Sequence, residues 1–364
     1  SDETDTYVIA CAKHYIAGGE PNNGLNFAAM DMSERSLREV YLPPFADAVA
    51  AGVDTVMAAH NEINGVPCHG NHYLLTEVLR EELGFEGFIV SDFTDISRLF
   101  TLHKVATSIQ DADRQAVEAG IDMHMHGPGF LDEVIELVEG GILAEAQVDR
   151  AVSKILDAKF RVGLFEDRYV DVDPQTTGLS TTDHQALALE SARKSIVLLK
   201  NESSLLPIDP EIRRIFVTGP NANSQALLGD WAVEQPEDNV VTVLQGIRNS
   251  TGRHTAVDFL DCGALLSISD DAIRAAAQQA TVADVAVVVV GENPLRTTPD
   301  KTEGENVPRS SLALPGRQQE LVKAVMMSGT PTVVVLVNGR PQAIPWIADH
   351  AAAIVEAFHP GMQG

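Results

Sequence analysis

The chain has 364 residues, of which 45% are hydrophobic and 21% are charged, and this composition is typical of a globular protein with about two domains. Its 26 basic and 52 acidic residues give a formal net charge of −26. Such a charge disfavours binding to nucleic acid and to anionic membranes, because both are polyanions, and a neutral substrate such as a sugar fits better. A charge of this size is typical either of an ordinary soluble acidic protein or of a protein adapted to high salt. Salt screens the repulsion between the acidic side chains.

The sequence predicts neither a transmembrane helix nor a signal peptide within the residues given. No run of about 18 or more apolar residues predicts a transmembrane helix, and residues 1–6 lack the basic region and the apolar core of a signal peptide. The three cysteines, Cys11, Cys68 and Cys262, form no Cys-x-x-Cys pair. We therefore predict buried free thiols, without a disulfide scaffold or a cysteine-ligated metal.

Short apolar runs alternate with helical patterns through the first half of the chain. The patterns predict strands over 8–12, 54–59, 87–90 and 121–125, and helices over 33–51, 74–83, 106–119, 131–140 and 144–162. This alternation is typical of βαβ units around a parallel sheet. Polar residues follow several of the predicted strands, and in a (β/α) barrel these positions lie at the mouth where active sites form.

A segment rich in Asp, Thr, Pro and Gly, residues 169–184, is predicted to link two domains, 1–168 and 185–364. Beyond it the patterns predict helices over 185–199, 271–279 and 316–327, and strands over 215–218, 285–290, 332–337 and 352–357. This second part is predicted to be an open α/β sheet in a three-layer sandwich.

Asp92 is the most informative of the polar residues that follow strands. The apolar run 88–90 leads directly into Ser91, Asp92 and Phe93. A carboxylate at the carboxyl end of a strand suits nucleophilic attack on the anomeric carbon of a sugar, and the aromatic side chain beside it could pack on the sugar ring. A strand-terminal Asp also suits helix capping, so the motif alone leaves both interpretations open.

Lys13 and His14 close the first predicted strand. Both side chains can hydrogen-bond sugar hydroxyls, and a cation helps to keep a carboxylate nucleophile ionised. An alternative makes Lys13 a Schiff-base lysine on an aldolase barrel, but we find no phosphate-binding loop of the kind that such a barrel carries. The interpretation of Lys13 as a surface lysine beside a structural histidine also stays open.

Histidines follow two other predicted strands. His60 follows the second strand, and either His60 or Met57 is a candidate for the lining of a pocket. His124 and His126 are two residues apart, so that both would point to the same side of a strand. No third ligand is evident, and we therefore predict no metal site.

Together these motifs resemble glycoside hydrolase family 3, in the family's order and along nearly the whole chain. In the first half the resemblance rests on Lys13-His14-Tyr15, on 32–35 with 37–43, on 56–57 with 61–67, on 79–80, on Gly84-Phe85-x-Gly87-Phe88-x-Val90-Ser91-Asp92, on 119–123 and on 163–165. In the second half it rests on 198–201, 206–207, 219–222, 312–318 and Gly339-Arg340-Pro341.

The resemblance implies a retaining, exo-acting β-glycosidase that needs no cofactor. It implies the C-terminal part of a (β/α) TIM-like barrel followed by an αβα sandwich domain. It also implies that Asp92 is the nucleophile and that Lys13 and His14 hold hydroxyls of the terminal sugar. The pocket would be lined by Met57, His60 and Phe93, the last two of which stand where relatives often place Tyr and Trp.

The resemblance places the acid/base glutamate on a loop of the second domain, here residues 291–309, which contains Glu292, Glu303 and Glu305. Relatives often carry this glutamate four residues before an arginine, a spacing that Glu305 and Arg309 share. Glu305 is therefore the predicted acid/base and Glu303 the second candidate, while solvated loop carboxylates are the alternative. Retaining enzymes hold the two carboxyl groups about 5–5.5 Å apart.

The family also has barrel elements before the Lys-His strand, and these are missing here, so we expect this chain to be a segment of a longer protein. The predicted reaction releases terminal β-D-glucose from β-glucosides or short β-glucans. The alternatives are a β-xylosidase of the same family and a catalytically incomplete fragment that only binds carbohydrate. A β-N-acetylhexosaminidase is disfavoured, because the loop 16–24 lacks the Gly-rich His segment of those enzymes.

No membrane or nucleic-acid partner is predicted, and a homodimer is left open. A secreted or periplasmic location is favoured over the cytoplasm because glucans are degraded outside the cell.

Overall fold

The computed structural model describes residues 8–19, 21–169 and 181–364 of the chain. The chain divides into two compact units, Ser1–Asp171 and Val172–Gly364, and each has its own hydrophobic core. The predicted α/β class is confirmed. The boundaries of the two predicted domains stay a prediction, since most of the predicted linker, 169–184, lies outside the described residues.

The first unit contains six short strands and six α-helices among its described residues. The strands are β1 (Cys11–Tyr15), β2 (Ala29–Met30), β3 (Thr55–Ala58), β4 (Glu62–Ile63), β5 (Val66–Pro67) and β6 (Phe88–Val90). The helices are α1 (Glu34–Ser36), α2 (Pro43–Ala50), α3 (Asp95–Thr101), α4 (Ile109–Ala119), α5 (Phe130–Glu139) and α6 (Glu145–Arg161), with wider π-helical turns at Leu37–Tyr41 and Tyr73–Glu82.

A parallel sheet in the order β1, β3, β6 forms the centre of the first unit. Val56 and Ile89 at the middle of this sheet are fully buried, and so are Leu75 and Leu79 of the adjacent helical segment. This burial explains the near-continuous apolar runs, since a parallel strand is covered on both faces. The three strands agree with the prediction of barrel strands, while a closed barrel stays a prediction.

The described part of the first unit differs from the sequence prediction at several elements, and the short strands β2, β4 and β5 were not predicted. Strand β1 covers Cys11–Tyr15 rather than 8–12, and Cys11 is exposed rather than buried. Residues 121–125 form no strand beyond a single bridge from Met123, because the Asp122 carboxylate accepts the N–H of Ile89, at 2.8 Å, that a strand carbonyl would otherwise take. Helix α3 was not predicted, and α4 begins only at Ile109.

The second unit contains six strands and five α-helices among its described residues. The strands are β7 (Val197–Asn201), β8 (Arg214–Thr218), β9 (Ala256–Leu260), β10 (Val285–Gly291), β11 (Thr332–Val337) and β12 (Ala353–Glu356). The helices are α7 (Thr182–Ser195), α8 (Val243–Ser250), α9 (Asp270–Ala280), α10 (Gln318–Met326) and α11 (Pro345–His350).

These strands form one sheet in the order β7, β12, β11, β10, β8, β9, in which only β7 is antiparallel to its neighbour. Alternate residues of β10 face opposite sides. Val288 and Val290 pack in the cluster that includes α9, α10 and α11, while Val287 and Val289 pack in the cluster that includes α8. Helices therefore cover both faces, which is the predicted αβα arrangement.

The prediction for the second unit was wrong at its beginning. A helix was predicted over 185–199, but α7 covers Thr182–Ser195 and the apolar residues that follow form β7, the antiparallel edge strand. The last residues of the predicted linker are therefore helical. Three elements, α8, β9 and α11, were not predicted. Among the described residues, no helix has both the length and the apolar content needed to cross a bilayer.

Asp113 on α4 makes the stability of the first unit depend on pH. Its side chain is buried, and Oδ2 accepts no hydrogen bond from any described residue. Burial, together with the charge of Glu133, raises the pKa of Asp113 to about 7. Because the folded state raises this pKa, ionisation of Asp113 destabilises the fold progressively between the unfolded value, near 3.8, and about pH 7. We expect Asp113→Asn to raise Tm at about pH 8 and to change it little at about pH 4, with a stability gain of at most about 4 kcal/mol.

Asp111 on the same helix provides the matched control. The backbone hydrogen bond from Thr107 is the largest influence on this carboxylate, and the pKa of Asp111 lies below its ordinary value. Ionisation of Asp111 therefore has the opposite effect on stability to ionisation of Asp113. Ionised Asp111 stabilises the fold at neutral pH, and this contribution is lost as the pH falls through the folded-state pKa. Thermal unfolding at both pH values should show Asp111→Asn lowering Tm at neutral pH. An equal gain of Tm for Asp113→Asn at both pH values would contradict the prediction.

Candidate active site

Three side chains that the sequence singled out meet at the carboxyl ends of β1, β3 and β6. His14 lies near the end of β1, His60 lies two residues after β3, and Asp92 lies two residues after β6. The three strands are parallel neighbours, so their ends lie along one edge of the sheet. In α/β folds this edge is where ligand sites are built.

The Asp92 carboxylate is buried, with 8% of the residue exposed, and it faces both histidines. Its Oδ2 lies 3.3 Å from His14 Nε2 and 3.1 Å from His60 Nε2. Its Oδ1 accepts the N–H of Phe93 at 2.6 Å. Two imidazole nitrogens thus converge on one oxygen of a buried carboxylate.

A second carboxylate, Asp95 in the first turn of α3, holds His60 from behind. Asp95 is 2% exposed, and its Oδ2 accepts the Nδ1–H of His60 at 2.6 Å. Arg98 forms an ion pair with the same side chain. Burial raises the pKa of Asp95, but the hydrogen bond from His60 and the charges of His60 and Arg98 outweigh it, so that the pKa lies below its ordinary value. Asp95 therefore stays ionised and fixes the Nε2 of His60 towards Asp92.

His69 fixes the backbone of Asp92. Its Nε2 accepts the N–H of Asp92 at 2.9 Å, and its Nδ1 lies 3.7 Å from Asp95 Oδ2. Burial lowers the pKa of His69 to about 4, so the imidazole is neutral at ordinary pH. Since Nε2 is the acceptor, the proton of this neutral ring is on Nδ1, which faces the Asp95 carboxylate.

The other predicted pocket residues lie around this centre in different ways. Phe93 is 50% exposed and stacks on His126, with ring centroids 4.6 Å apart, so one aromatic face is available at the surface. Met57 is buried on β3. Lys13 is exposed on β1 and forms no ion pair with any residue in the described ranges. The structure thus brings His14, His60 and Asp92 together at one edge of the sheet.

The roles of Asp95, Arg98 and His69 were not predicted from the sequence. Asp95 follows Asp92 by three residues, at the start of a helix that was not predicted, and this spacing was the available signal. His69 is far from Asp92 in sequence, and no local pattern indicates that its ring accepts the Asp92 N–H. These contacts depend on the tertiary fold.

The segment that contains His124 and His126 is not the strand that was predicted. Each ring stacks on a different aromatic side chain, His124 on Phe130 and His126 on Phe93. Among the described residues, the cluster with metal-compatible spacing is instead His14, His60 and Asp92.

In the second unit, Glu305 lies on a loop that the partly buried Asp230 organises. Asp230 accepts the N–H of Glu305 at 2.7 Å and pairs with Lys301, at 3.0 Å, and with Arg296, at 2.8 Å. The Glu305 side chain, which is 25% exposed, accepts the Nε1–H of Trp231 at 2.7 Å. Arg296 lies 3.4 Å from the Glu305 carboxylate and stacks over the Trp231 ring at 3.7 Å.

Glu303 and Glu292, the other two candidates, are both buried. Glu303 accepts hydrogen bonds from His359, at 2.6 Å, and from the N–H of Gly339, at 2.8 Å. Burial opposes its ionisation, but the hydrogen bond and charge of His359 outweigh burial and lower the pKa of Glu303. Burial raises the pKa of Glu292 although Arg309 contacts it at 2.6 Å. Arg309 thus pairs with the buried Glu292.

Gly304 is required by the packing of this loop. It has φ +102°, and a Cβ at this position would lie 2.5 Å from Asp230 Oδ2. We expect Gly304→Ala to displace Asp230 and the Glu305 backbone that it holds, with a loss of stability beyond the roughly 1–2 kcal/mol of left-handed strain alone. Thermal unfolding and the fluorescence of Trp231 would report the change.

Gly329 is the matched control, because its φ is +84° and a Cβ would meet no described atom within 4 Å. Gly329→Ala should show the strain alone and leave the fluorescence unchanged. Equal destabilisation by the two alanines would show that the contact with Asp230 has no importance.

Sequence models of one family match both halves of the chain. The N terminal domain of glycosyl hydrolase family 3 matches residues 3–158, and the C-terminal domain of the same family matches residues 196–364. The chain belongs to glycosyl hydrolase family 3. The resemblance drawn from the motifs is thereby confirmed.

Relatives of this family 3 chain carry two kinds of name. The beta-xylosidase of Formosa agariphila is 39% identical over 379 residues, which cover 99% of this chain and 51% of that protein. The periplasmic beta-glucosidase of Salmonella typhimurium is 34% identical over 387 residues, which cover 98% of this chain and 49% of that protein. The crystal structure of the beta-glucosidase from Listeria innocua in complex with glucose matches with a TM-score of 0.86 at 33% identity, over 97% of this chain and 47% of that one. The family 3 chain thus spans about half the length of the curated relatives that it matches.

Proposed function

We propose that the protein is a retaining, exo-acting β-glycosidase in which Asp92 is the nucleophile. The observation that supports this proposal is the buried Asp92 carboxylate, which stands at the mouth of the parallel sheet with His14 and His60 on the same oxygen. Family membership supports hydrolysis of a glycosidic bond as the reaction.

In the proposed mechanism, a carboxylate oxygen of Asp92 attacks the anomeric carbon and the bond to the leaving-group oxygen breaks. The acid/base glutamate gives its proton to that oxygen. Water then attacks the glycosyl-enzyme after losing a proton to the same glutamate, and Asp92 leaves as the carboxylate. His14 and His60 would hydrogen-bond sugar hydroxyls beside the anomeric centre, and Asp95 and His69 would keep His60 and the Asp92 backbone in position.

Lys13, Met57 and Phe93 complete the proposed sugar site. The exposed half of the Phe93 ring suits stacking on the apolar face of a sugar. Met57 supplies a buried wall behind the site, and Lys13 is long enough to reach a hydroxyl from the exposed side of β1. These three roles follow from the resemblance and stay proposals.

We propose Glu305 as the acid/base. Its carboxylate is partly exposed, so it can contact both a substrate and water, and Asp230, Trp231 and Arg296 hold its loop. Glu303 is less suitable, because it is almost completely buried and is occupied by His359 and backbone N–H groups. A proton donor must be able to reach the leaving oxygen.

Terminal β-D-glucose is the proposed sugar, with β-D-xylose as the second candidate. Glucose is supported by the Listeria innocua beta-glucosidase, which was solved with glucose. Xylose is supported by the Formosa agariphila relative, which is named a beta-xylosidase and is 39% identical to this chain.

A location outside the cytoplasm also stays a prediction, and it is supported by the Salmonella typhimurium relative, which is named a periplasmic beta-glucosidase. A high-salt environment and a homodimer stay predictions as well.

The proposal is tested by following the hydrolysis of aryl β-D-glucosides and aryl β-D-xylosides by NMR. A retaining enzyme releases the β-anomer first, and the α-anomer then grows by mutarotation. Initial release of the α-anomer would contradict the mechanism. Sugar binding without turnover, at low and at high salt, would instead support the alternative of a carbohydrate-binding fragment. The ratio of kcat/KM for the two sugars decides between glucosidase and xylosidase.

A further inference from the structure

The geometry of His14, His60 and Asp92 fits a transition-metal site. One nitrogen of each imidazole and one oxygen of the carboxylate lie within 4.8 Å of one another. We propose that these three side chains bind a divalent cation of the Zn²⁺ type, and that the bound cation blocks the sugar site. Metal binding itself does not depend on the proposed function, whereas inhibition rests on the proposed role of Asp92.

The donor spacing agrees with one shared ion. Zinc bonds to imidazole nitrogen and carboxylate oxygen are about 2.0–2.2 Å long, so neighbouring ligands of a tetrahedral ion lie about 3.3–3.5 Å apart. Asp92 Oδ2 lies 3.3 Å from His14 Nε2 and 3.1 Å from His60 Nε2. Small side-chain rotations would place all three atoms around a single cation and leave a fourth position for water.

Asp95 supplies the outer partner that metal-bound histidines usually have. Its Oδ2 accepts the Nδ1–H of His60 at 2.6 Å, which directs Nε2 towards Asp92. Carboxylate–histidine–metal arrangements of this kind fix the ring and increase the basicity of the ligand nitrogen. The buried Oδ2 of Asp92 also accepts no hydrogen bond from the described residues, so a ligand position on it is open to a cation.

A solvent-accessible cavity leads to two of the three ligands, His14 and His60. A cavity of about 250 Å³ is lined by His14, His60, Gly18, Gly19, Asn26 and Ala59. His14 is 38% exposed at its side chain, so it lies at the entrance, while His60 and Asp92 lie deeper. The net charge of −26 also favours the approach of cations.

The donor set selects the class of metal. Two imidazoles and one carboxylate suit Zn²⁺, Co²⁺, Ni²⁺ or Cu²⁺, whereas Mg²⁺ and Ca²⁺ prefer sites built from oxygen ligands. Zn²⁺ is the probe of choice for affinity, and Co²⁺ is the spectroscopic probe because its visible absorption reports nitrogen ligands and geometry.

The test is direct metal titration of the whole protein after dialysis against a chelator. We expect one equivalent of Co²⁺ to produce a visible absorption band that Zn²⁺ abolishes, and calorimetry to give the Zn²⁺ affinity. Asp92→Asn and His60→Gln should each weaken Zn²⁺ binding at least about tenfold, and Asp95→Asn should weaken it about 10–100-fold. His124→Gln, which removes a nearby histidine outside the cluster, should bind like the parent protein.

The outcomes separate this proposal from the proposed function. Zn²⁺ should inhibit glycoside hydrolysis in competition with the sugar, with an inhibition constant that matches the calorimetric Kd. Hydrolysis without Zn²⁺ binding, or binding that Asp92→Asn and His60→Gln leave unchanged, would overturn the metal site and leave the glycosidase proposal intact. Zn²⁺ binding to a protein that hydrolyses no glycoside would support the site and contradict the function.

Discussion

Asp92→Asn is expected to lower kcat for an aryl β-glycoside by more than about 10³-fold, the scale of loss seen when a nucleophile or its activating partner is removed from a hydrolase. The reason is chemical, because an amide of the same size cannot form the glycosyl ester. The fold should be retained, since Asn can still accept the Phe93 N–H that Oδ1 accepts at 2.6 Å. The Tm should therefore change much less than kcat.

Covalent trapping of the glycosyl-enzyme tests the role of Asp92 as the nucleophile independently of the change in kcat. A 2-deoxy-2-fluoro glycoside with a good leaving group should label the parent protein once, and mass spectrometry should locate the label on the peptide that contains Asp92. Asp92→Asn should remain unlabelled. Asp111→Asn, the same substitution in the first turn of α4, is the control and should be labelled like the parent protein. A label on another carboxylate would exclude Asp92 as the nucleophile.

The position of Asp92 could be predicted from the sequence because it depends on local order. An apolar run that ends in Ser91-Asp92 predicts a strand with a polar end, and parallel strands bring such ends to one edge. The roles of Asp95 and His69 could not be predicted in this way. Their contacts join residues of different elements, and only the tertiary fold shows that Asp95 orients His60 while His69 accepts the Asp92 N–H.

Errors in the elements have equally physical causes. The helical pattern of α7 continues into the apolar residues of β7, so that periodicity alone predicts a helix as far as residue 199. In the fold these apolar residues pair with β12 as an antiparallel strand. At 121–125 the side chain of Asp122 replaces a strand carbonyl as the acceptor for Ile89, and a pattern of apolar residues cannot show that exchange. In both places a tertiary partner decided the local structure.

The loop around Glu305 shows the same limit. Its spacing from Arg309 made Glu305 the predicted acid/base by resemblance, but this spacing indicates no contacts of the side chain. In the fold, Arg309 contacts Glu292 at 2.6 Å, while Arg296 and Trp231 contact Glu305. The choice of Glu305 therefore needs a test that distinguishes it from Glu303.

Glu305→Ala should give a loss that depends on the leaving group. General acid catalysis contributes about 10²–10⁴-fold, so hydrolysis of a glycoside with a poor, alkyl leaving group should fall by that amount. A dinitrophenyl glycoside needs no protonation, so its glycosylation step should be nearly unaffected and the glycosyl-enzyme should accumulate as a burst. The comparison of the two substrates measures the acid role separately from binding.

Azide identifies the base role of the same residue. Azide attacks the glycosyl-enzyme without giving up a proton, so it should restore turnover in Glu305→Ala and yield the β-glycosyl azide, while the parent protein should give none. Glu303→Ala is the matched control on the same loop. Because Glu303 is 3% exposed and holds His359 and the Gly339 N–H, its loss should lower Tm without azide rescue. Rescue in Glu303→Ala and not in Glu305→Ala would assign the acid/base to the buried glutamate, and would require its contact with His359 to open during turnover.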